Sequence, residues 1–384
     1  MAYQFVVPDR TIIGEDSLKQ SLPAIKAIGK KALIVTGKVV TKAGIVNVLT
    51  DLLEQEGISY EIFNEITSEP TDYMIEQGVM VYKDKECDFI IGIGGGSPLD
   101  SAKAIGAMSV LEGKISDYLG KEIEGDFPAM VLIPTTAGTG SEATKFTIIT
   151  DSKRDVKMLL KGDALLPRLA VIDPSLSMSA PKSVTSATGM DALTHAVESY
   201  TSRKGNPITD IFALSAIKRI FTYLPIAYSN GEDKKAREEL AIAAYEAGIC
   251  INNASVTLIH GMSRPIGALF HVPHGVSNAM IIKEGLAFAL DGCYDRFADI
   301  ARTIGAAAYE EAEETAANAF LKVLEELCIT VEIPTLREYG IDKEDFEKRI
   351  DKMAEDAMAS GSPSNTIKKV KKDDLIQIYK KLWD

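Results

Sequence analysis

Cysteine is scarce in this chain, and the four present, Cys87, Cys250, Cys293 and Cys328, stand far apart. No CxxC pair occurs, so neither a disulfide framework nor a thiolate zinc site is indicated, and the thiols read as reduced core or surface groups. Positive charge is also in deficit: 42 Lys and Arg against 55 Asp and Glu give a formal net charge of -13. Sequence-independent binding to nucleic acid or to an anionic membrane needs clustered cations. Neither partner is expected, and small molecules are. No stretch reaches the roughly 18 consecutive apolar residues of a membrane span, and the opening segment MAYQFVVPDRTIIGEDS has neither a basic flank nor a long apolar run. A cytoplasmic enzyme is the expectation. Internal repeats and low-complexity segments are missing too, which excludes a solenoid.

What is present is a globular composition, 46% hydrophobic and 25% charged over 384 residues. That length exceeds the roughly 250–300 residues at which a single core stops growing, so two domains are expected. In the first half, short β-branched runs alternate with helical patterns. Lys30–Gly37, Asp88–Gly96, Ala129–Thr135 and Arg168–Asp173 read as buried parallel strands, and the amphipathic run from Val40 to Gly57 reads as a helix with Gly57 at its C-terminal end. Strand, helix, strand in this order predicts a doubly wound sheet. From about Ala180 the strand-like runs vanish and helical patterns take over, among them Ile208–Leu224, Lys234–Ile251 and Glu310–Cys328. The predicted fold is an α/β domain over 1–179 and an all-helical domain over 180–384.

Two loops in the first domain carry ligand-binding chemistry. Gly94, Gly95, Gly96, Ser97 and Pro98 follow one strand and precede the helical pattern Leu99–Met108. Glycines let a backbone approach a ligand, Ser97 can cap the helix, Pro98 suits its first position, and free N–H groups at a helix start favour an anion such as a pyrophosphate. The turn matches neither GxGxxG nor the ending of a P-loop, and a tight packing turn between strand and helix explains it equally. Pro134–Thr144 (PTTAGTGSEAT) follows another strand. Ligands of open α/β sheets sit at the carboxyl ends of strands, so Thr135, Thr136, Thr139 and Ser141 are candidates to hydrogen-bond a cofactor. The alternative is a loop whose hydroxyls bond its own backbone.

All four histidines, His195, His260, His271 and His274, fall in the helical domain. Asp191 and His195, in GMDALTHAVESY, are one helical turn apart and share a face. His260 closes the apolar run INNASVTLIH, while His274 lies in HVPHG beyond Pro265, Gly267 and Pro273, so the two come from different elements and can converge. One carboxylate and three imidazoles suit Fe(II), Zn(II) or a similar divalent ion with a position left for a substrate oxygen. Core histidines satisfied by hydrogen bonds and a helix-surface Asp–His contact are the plainer explanation.

GGGSPLDSAKAIGA, PTTAGTGSEAT, ATGMDALTHAVESY and the H…PHG ending together resemble the motifs of the iron-containing (group III) alcohol dehydrogenases, in that family's order and over nearly the whole chain. The resemblance implies an N-terminal Rossmann-like dinucleotide-binding domain and an all-α C-terminal metal-binding domain. It implies that Asp191, His195, His260 and His274 bind the metal, usually iron. It further implies that Gly95, Gly96 and Ser97 hold the pyrophosphate, that Asp100 lies near the nicotinamide side, and that Thr135, Thr136 and Lys157 line the dinucleotide site. The implied activity is hydride transfer between NAD(P)(H) and a small alcohol or aldehyde, in a dimer or larger homo-oligomer.

Two departures from the family pattern bear on specificity. Where many NAD-preferring relatives carry an acidic residue after the second strand, IVTGKVVTK has Gly37 followed by Lys38. Losing a carboxylate removes repulsion toward a 2′-phosphate, and Lys38 or Lys42 can pair with one, so NADP(H) is favoured over NAD(H). Solvated lysines in a tight turn are the alternative. Where many relatives have a further histidine four residues after the third ligand, Arg264 stands here, and His271 stands where others often carry a neutral residue. Arg264 and His271 are therefore the candidate catalytic residues on the substrate side. An arginine there can fork onto a carboxylate, which would suit a hydroxy acid or semialdehyde, and a structural ion pair is the competing role. Dehydroquinate-synthase-like lyases share the architecture but carry Glu as first ligand, so Asp191 argues against them. A dinucleotide-sensing protein without catalysis would be expected to have lost ligands, and none is lost.

Overall fold

The structure, a computed structural model, describes residues 2–67, 69–154 and 156–383. The chain divides into two compact units, Met1–Ser179 and Ala180–Asp384.

The first unit contains β1 (Thr11–Ile13), β2 (Lys31–Val35), β3 (Ser59–Phe63), β4 (Phe89–Gly94), β5 (Met130–Pro134), β6 (Phe146–Asp151), β7 (Val156–Lys161) and β8 (Leu169–Ile172). Six of these form a parallel sheet in the order β1-β8-β5-β4-β2-β3, and β6 pairs with β7 as a separate antiparallel ribbon. The helices are α1 (Ser17–Gln20), α2 (Leu22–Ile28), α3 (Lys38–Lys42), α4 (Ile45–Gln55), α5 (Asp72–Asp84) and α6 (Gly96–Met108). Side chains alternate across the sheet, so each face has its own core. Ala32, Ile34, Ile91 and Ile133 pack with Leu22, Leu49 and Leu53, whereas Leu33, Val35, Ile90 and Leu132 pack with Ile75, Leu99 and Ile105. Every residue of β4 is buried, which is why its sequence runs apolar without alternation.

The strand order places the functional loops. β2 lies between β3 and β4, so the chain's direction of travel across the sheet reverses between β2 and β4. The carboxyl ends of strands beside such a reversal are where open α/β sheets bind ligands. Gly37 follows β2 and Gly94 ends β4, next to the carboxyl end of β5.

The expected single helix from Val40 to Gly57 is instead two. Gly44, in the left-handed region with φ 78°, separates α3 from α4, and Gly57 at φ 70° closes the second as its sequence position suggested. Ser97 does not cap α6: Gly95 occupies the N-cap, no side chain caps it, and Ser97 and Pro98 lie inside the first turn.

The described residues of the second unit contain no strand. They form α7 (Lys182–Tyr200), α8 (Pro207–Ser229), α9 (Lys234–Asn253), α10 (Leu258–Phe270), α11 (His274–Ala289), α12 (Tyr294–Thr303), α13 (Glu313–Thr330), α14 (Leu336–Tyr339), α15 (Lys343–Ala359) and α16 (Lys372–Lys381). Residues 189–200 of α7 are buried on every side, so this helix is the axis of the unit. Its C-terminal end is clamped by Arg296, which donates to the Tyr200 carbonyl, forks onto Asp210 and lies over the Tyr200 ring. Among the described helices, α8 alone is long and apolar enough to cross a membrane by composition. It packs against α7 and α9 and carries Arg219, paired with Glu239 and Glu246.

Candidate functional site

The four residues predicted to ligate a metal come together in the second unit. One ligand atom from each of Asp191, His195, His260 and His274 lies within 4.8 Å of all the others. α7 supplies Asp191 and His195 from successive turns of its buried face. His260 does not close a helical run as expected: α9 stops at Asn253, the chain turns by 104°, and His260 sits in the first turn of α10. Pro265 and Gly267 lie inside α10, and the break falls later, at His271, whose left-handed backbone (φ 54°) ends the helix. His274 is the first residue of α11. A Cβ on the next residue, Gly275, would lie 2.5 Å from the Ala187 carbonyl oxygen, so only glycine lets α11 start this close to α7.

The geometry suits a cation. The Nε2 atoms of His260 and His274 are 3.8 Å from Asp191 Oδ1, and that of His195 is 4.0 Å away. These separations are too long for hydrogen bonds and suit donors gathered round one small ion, whose ligand bonds are about 2.0–2.1 Å. The His195 and His260 rings stack at 4.6 Å, and the His260 and His274 rings tilt at 5.2 Å. Burial opposes the Asp191 anion, but the imidazoles and the amide of Asn278 outweigh it, and the carboxyl titrates below its ordinary range. Burial first, then the two neighbouring rings, holds His260 well below the usual imidazole value, which keeps it neutral and able to ligate.

Two residues that sequence reasoning missed complete this cluster. Glu198, wholly buried on α7, places Oε2 2.5 Å from His260 Nδ1, while its Oε1 accepts from Thr257 Oγ1 at 2.7 Å and from the Ile259 N–H at 2.6 Å. Burial raises its pKa against the pull of those donors. Asn278, also buried, points Nδ2 at Asp191 Oδ1, and its own Oδ1 has no partner among the described residues. The available signal was spacing: Glu198 follows Asp191 by seven residues and Asn278 follows His274 by four, each on the same helical face.

The other candidates of this unit stand nearby. Arg264, one turn after His260, is half-buried and donates to Ser362 Oγ at 3.2 Å, and the structural ion pair weighed for it is not found among the described residues. Burial lowers its pKa, opposed by the charge of Glu198. His271 is exposed at the end of α10.

In the first unit the two predicted loops meet. The Thr135 N–H donates to the Gly94 carbonyl at 2.9 Å, and Ser141 Oγ donates to Asp100 Oδ1 at 2.5 Å. Asp100 also accepts from the Ile148 N–H at 3.0 Å, so its carboxylate is engaged in holding the loop to α6. Lys103 is fully buried and spends its three protons on the Thr144 and Phe146 carbonyls and Thr144 Oγ1. Gly95, Gly96 and Ser97 remain half-exposed at the uncapped start of α6, and Thr136 and Thr139 are half-exposed beside them. Lys157 pairs with Glu69 at 2.6 Å. Lys38 is exposed and pairs with Glu65 at 2.8 Å, while a Cβ on Gly37 would lie 2.7 Å from the Ile66 carbonyl oxygen.

Comparison with known proteins agrees over the whole chain. Residues 8–174 match the iron-containing alcohol dehydrogenase family, and residues 185–383 match the C-terminal part of the Fe-containing alcohol dehydrogenase family. The NAD-dependent methanol dehydrogenase of Bacillus methanolicus is 38% identical over 362 residues, covering 94% of this chain and 95% of that one. The 1,3-propanediol dehydrogenase of Citrobacter freundii is 34% identical over 386 residues and 99% of each chain. The crystal structure of a 1,3-propanediol oxidoreductase superposes with a TM-score of 0.96 at 33% identity, covering 100% of both chains. An alcohol dehydrogenase from Oenococcus oeni superposes at 0.95 with 31% identity, over 99% of this chain and 100% of its own. With both units matched, the parallel sheet and the grouped Asp191, His195, His260 and His274 in place and the similarity running from residue 8 to 383, the chain belongs to the iron-containing alcohol dehydrogenase family.

Proposed function

We propose that this protein is a metal-dependent alcohol dehydrogenase and aldehyde reductase acting on a small alcohol or aldehyde with a nicotinamide dinucleotide. The observation that carries the reading is the convergence of one carboxylate and three imidazole Nε2 atoms in a cluster buried except at His274. Asp191, His195, His260 and His274 would hold a divalent ion, Fe(II) first and Zn(II) next. Such an ion, when bound, supplies a Lewis acid that favours the alkoxide of an alcohol or polarises a carbonyl, and the dinucleotide supplies or takes up the hydride.

The chain's own residues bind and orient. The uncapped start of α6 offers the N–H groups of Gly96 and Ser97 and the positive end of a 13-residue helix to a pyrophosphate, with Gly94 and Gly95 leaving the approach clear. Thr135, Thr136 and Thr139 border that turn. Asp100 and Ser141 fix the loop that carries them, and Lys157 stands on β7 of the same unit. Gly37 with Lys38 and Lys42 favours NADP(H): the residue that follows Thr36 carries no carboxylate to repel a 2′-phosphate, and the two lysines can meet one, Lys38 in competition with its partner Glu65. We assign Arg264 and His271 to the substrate side.

An uncharged alcohol stands ahead of a hydroxy acid as substrate. Arg264 is already hydrogen-bonded to Ser362 and lies near the charge of Glu198, so it is less disposed to take a second anion. The test is an anaerobic assay with Fe(II), Zn(II) and both cofactors on a panel of alcohols and aldehydes that includes butanal and succinic semialdehyde. Net NAD(P)H consumption that requires the metal supports the reading. Turnover without net consumption would indicate a lyase, and metal-independent or absent activity would reject a metal-dependent dehydrogenase. A preference for the semialdehyde that Arg264→Ala abolishes would instead make the substrate acidic.

A further inference from the structure

Glu198 is a buried carboxylate with three donors and two oxygens. Its Oε1 already accepts from Thr257 Oγ1 and from the Ile259 N–H at the start of α10, which leaves Oε2 alone for the ring of His260. An imidazole is a ligand only through an unprotonated nitrogen, and its tautomer is set by what the other nitrogen meets. A carboxylate at 2.5 Å is an acceptor, so it draws the proton to Nδ1. The Nε2 lone pair is then left facing Asp191 and His274.

We infer that Glu198 is a positioning residue for the metal centre: it fixes His260 in the Nδ1–H tautomer and thereby keeps Nε2 available as a ligand. The inference rests on the reading that Asp191, His195, His260 and His274 hold a metal. It makes an unusually sharp claim about one isosteric change. In Glu198→Gln the single amide oxygen is held by the two donors at Thr257 and Ile259, which turns the NH2 group toward His260 Nδ1. The amide then donates, Nδ1 accepts, and the ring proton moves to Nε2, where it blocks ligation.

The test is histidine-selective 15N NMR of the metal-free protein, with His260 assigned by difference from His260→Gln, followed by Zn(II) and Co(II) affinities measured against a competing chelator. The native protein is expected to show His260 as the Nδ1–H tautomer. Glu198→Gln is expected to show Nε2–H and to lose about 10- to 100-fold in affinity, the range for groups that orient a ligand. Glu198→Asp should recover part of that loss. Thr257→Val removes one donor to Glu198 but not its contact with the ring, and should keep affinity within about threefold.

A native Nε2–H tautomer overturns the inference whether or not any variant folds. So does a Glu198→Gln protein that binds either metal as tightly as the native one, or a Thr257→Val protein that loses as much as Glu198→Gln, which would trace the effect to the start of α10. If the native protein binds neither ion, the metal reading itself fails and takes this inference with it. Tight native binding with an indifferent Glu198→Gln removes only the role of Glu198.

Discussion

The amide Nδ2 of Asn278 lies 2.7 Å from Asp191 Oδ1 and also 3.1 Å and 3.2 Å from Nε2 of His260 and His274. Two N–H bonds face three acceptors, so the amide is shared among groups that a cation would compete for. A second carboxylate in this position would repel Asp191 when no ion is bound and assist when one is. We predict that Asn278→Asp lowers the stability of the metal-free protein by about 3 kcal/mol, in the range for an uncompensated buried charge. The rise in Tm on adding a divalent ion should exceed that of the native protein. Thermal melts with and without Zn(II) decide it, and equal metal-induced shifts would reject the placement of Asn278 beside the ion.

Asp191 is the only anion among the four grouped donors. Asp191→Asn keeps the shape and removes the charge. Anaerobic Fe(II) loading followed by metal analysis should find little bound ion, and metal-dependent aldehyde reduction should fall by at least about 100-fold, more than the loss of a merely orienting group. Near-native metal content in this variant would move the ion elsewhere.

Cofactor choice turns on Lys38 and Lys42. Lys38 is paired with Glu65 across an exposed loop, so its charge is available to a 2′-phosphate only in competition with that carboxylate. Lys38→Ala with Lys42→Ala should raise KM for NADP(H) by about 5-fold, the equivalent of roughly 1 kcal/mol, and leave NAD(H) nearly unchanged. The difference should shrink at high salt. A clear native preference for NAD(H) would overturn the NADP(H) reading.

Glu142 gives a pH dependence of stability. Burial pushes its carboxyl up to about 7 from an ordinary 4.5, and one of its oxygens has no partner among the described residues. The folded state therefore holds this proton more tightly than the unfolded chain. Stability from this group is full below pH 4.5 and is lost as pH rises toward 7, by up to roughly 3 kcal/mol. Glu142→Gln cannot lose a proton. Its Tm should match the native value near pH 4.5 and exceed it by up to about 6–12 °C near pH 8, at about 2–4 °C per kcal/mol for a domain of this size. A difference independent of pH would show that Glu142 does not titrate in this way.

Much of the architecture was legible because periodicity survives tertiary packing where segments are buried uniformly. Four of the six parallel strands, β2, β4, β5 and β8, were read from their apolar runs, and the glycine turn at the end of β4 and the Asp191–His195 pair from their pattern; the edge strands β1 and β3, short or only partly buried, carry no such run and were not read. The helix from Val40 failed because one glycine in an otherwise continuous amphipathic pattern leaves the pattern intact while breaking the helix. His260 was misplaced within its element because Asn252–Ser255 carries apolar neighbours that mask a sharp turn. Glu198, Asn278 and Glu142 escaped notice, and Lys103, one turn into its helix, was given little weight, for a common reason. Each is a polar residue inside a helix or polar loop, where a solvated face is the ordinary reading, and only three-dimensional packing reveals that it is buried with particular partners.

Residues 189–200 of α7 have no solvent-facing side, yet this one stretch carries Asp191, His195 and Glu198. A centre built on a surface loop can breathe open to take up or release its ion. Here three of the four donors sit where only opening of the surrounding bundle exposes them, and His274 alone, a third exposed, meets solvent. Metal bound here would tie α7, α10 and α11 together and protect their amide hydrogens, and it would be released most readily through His274.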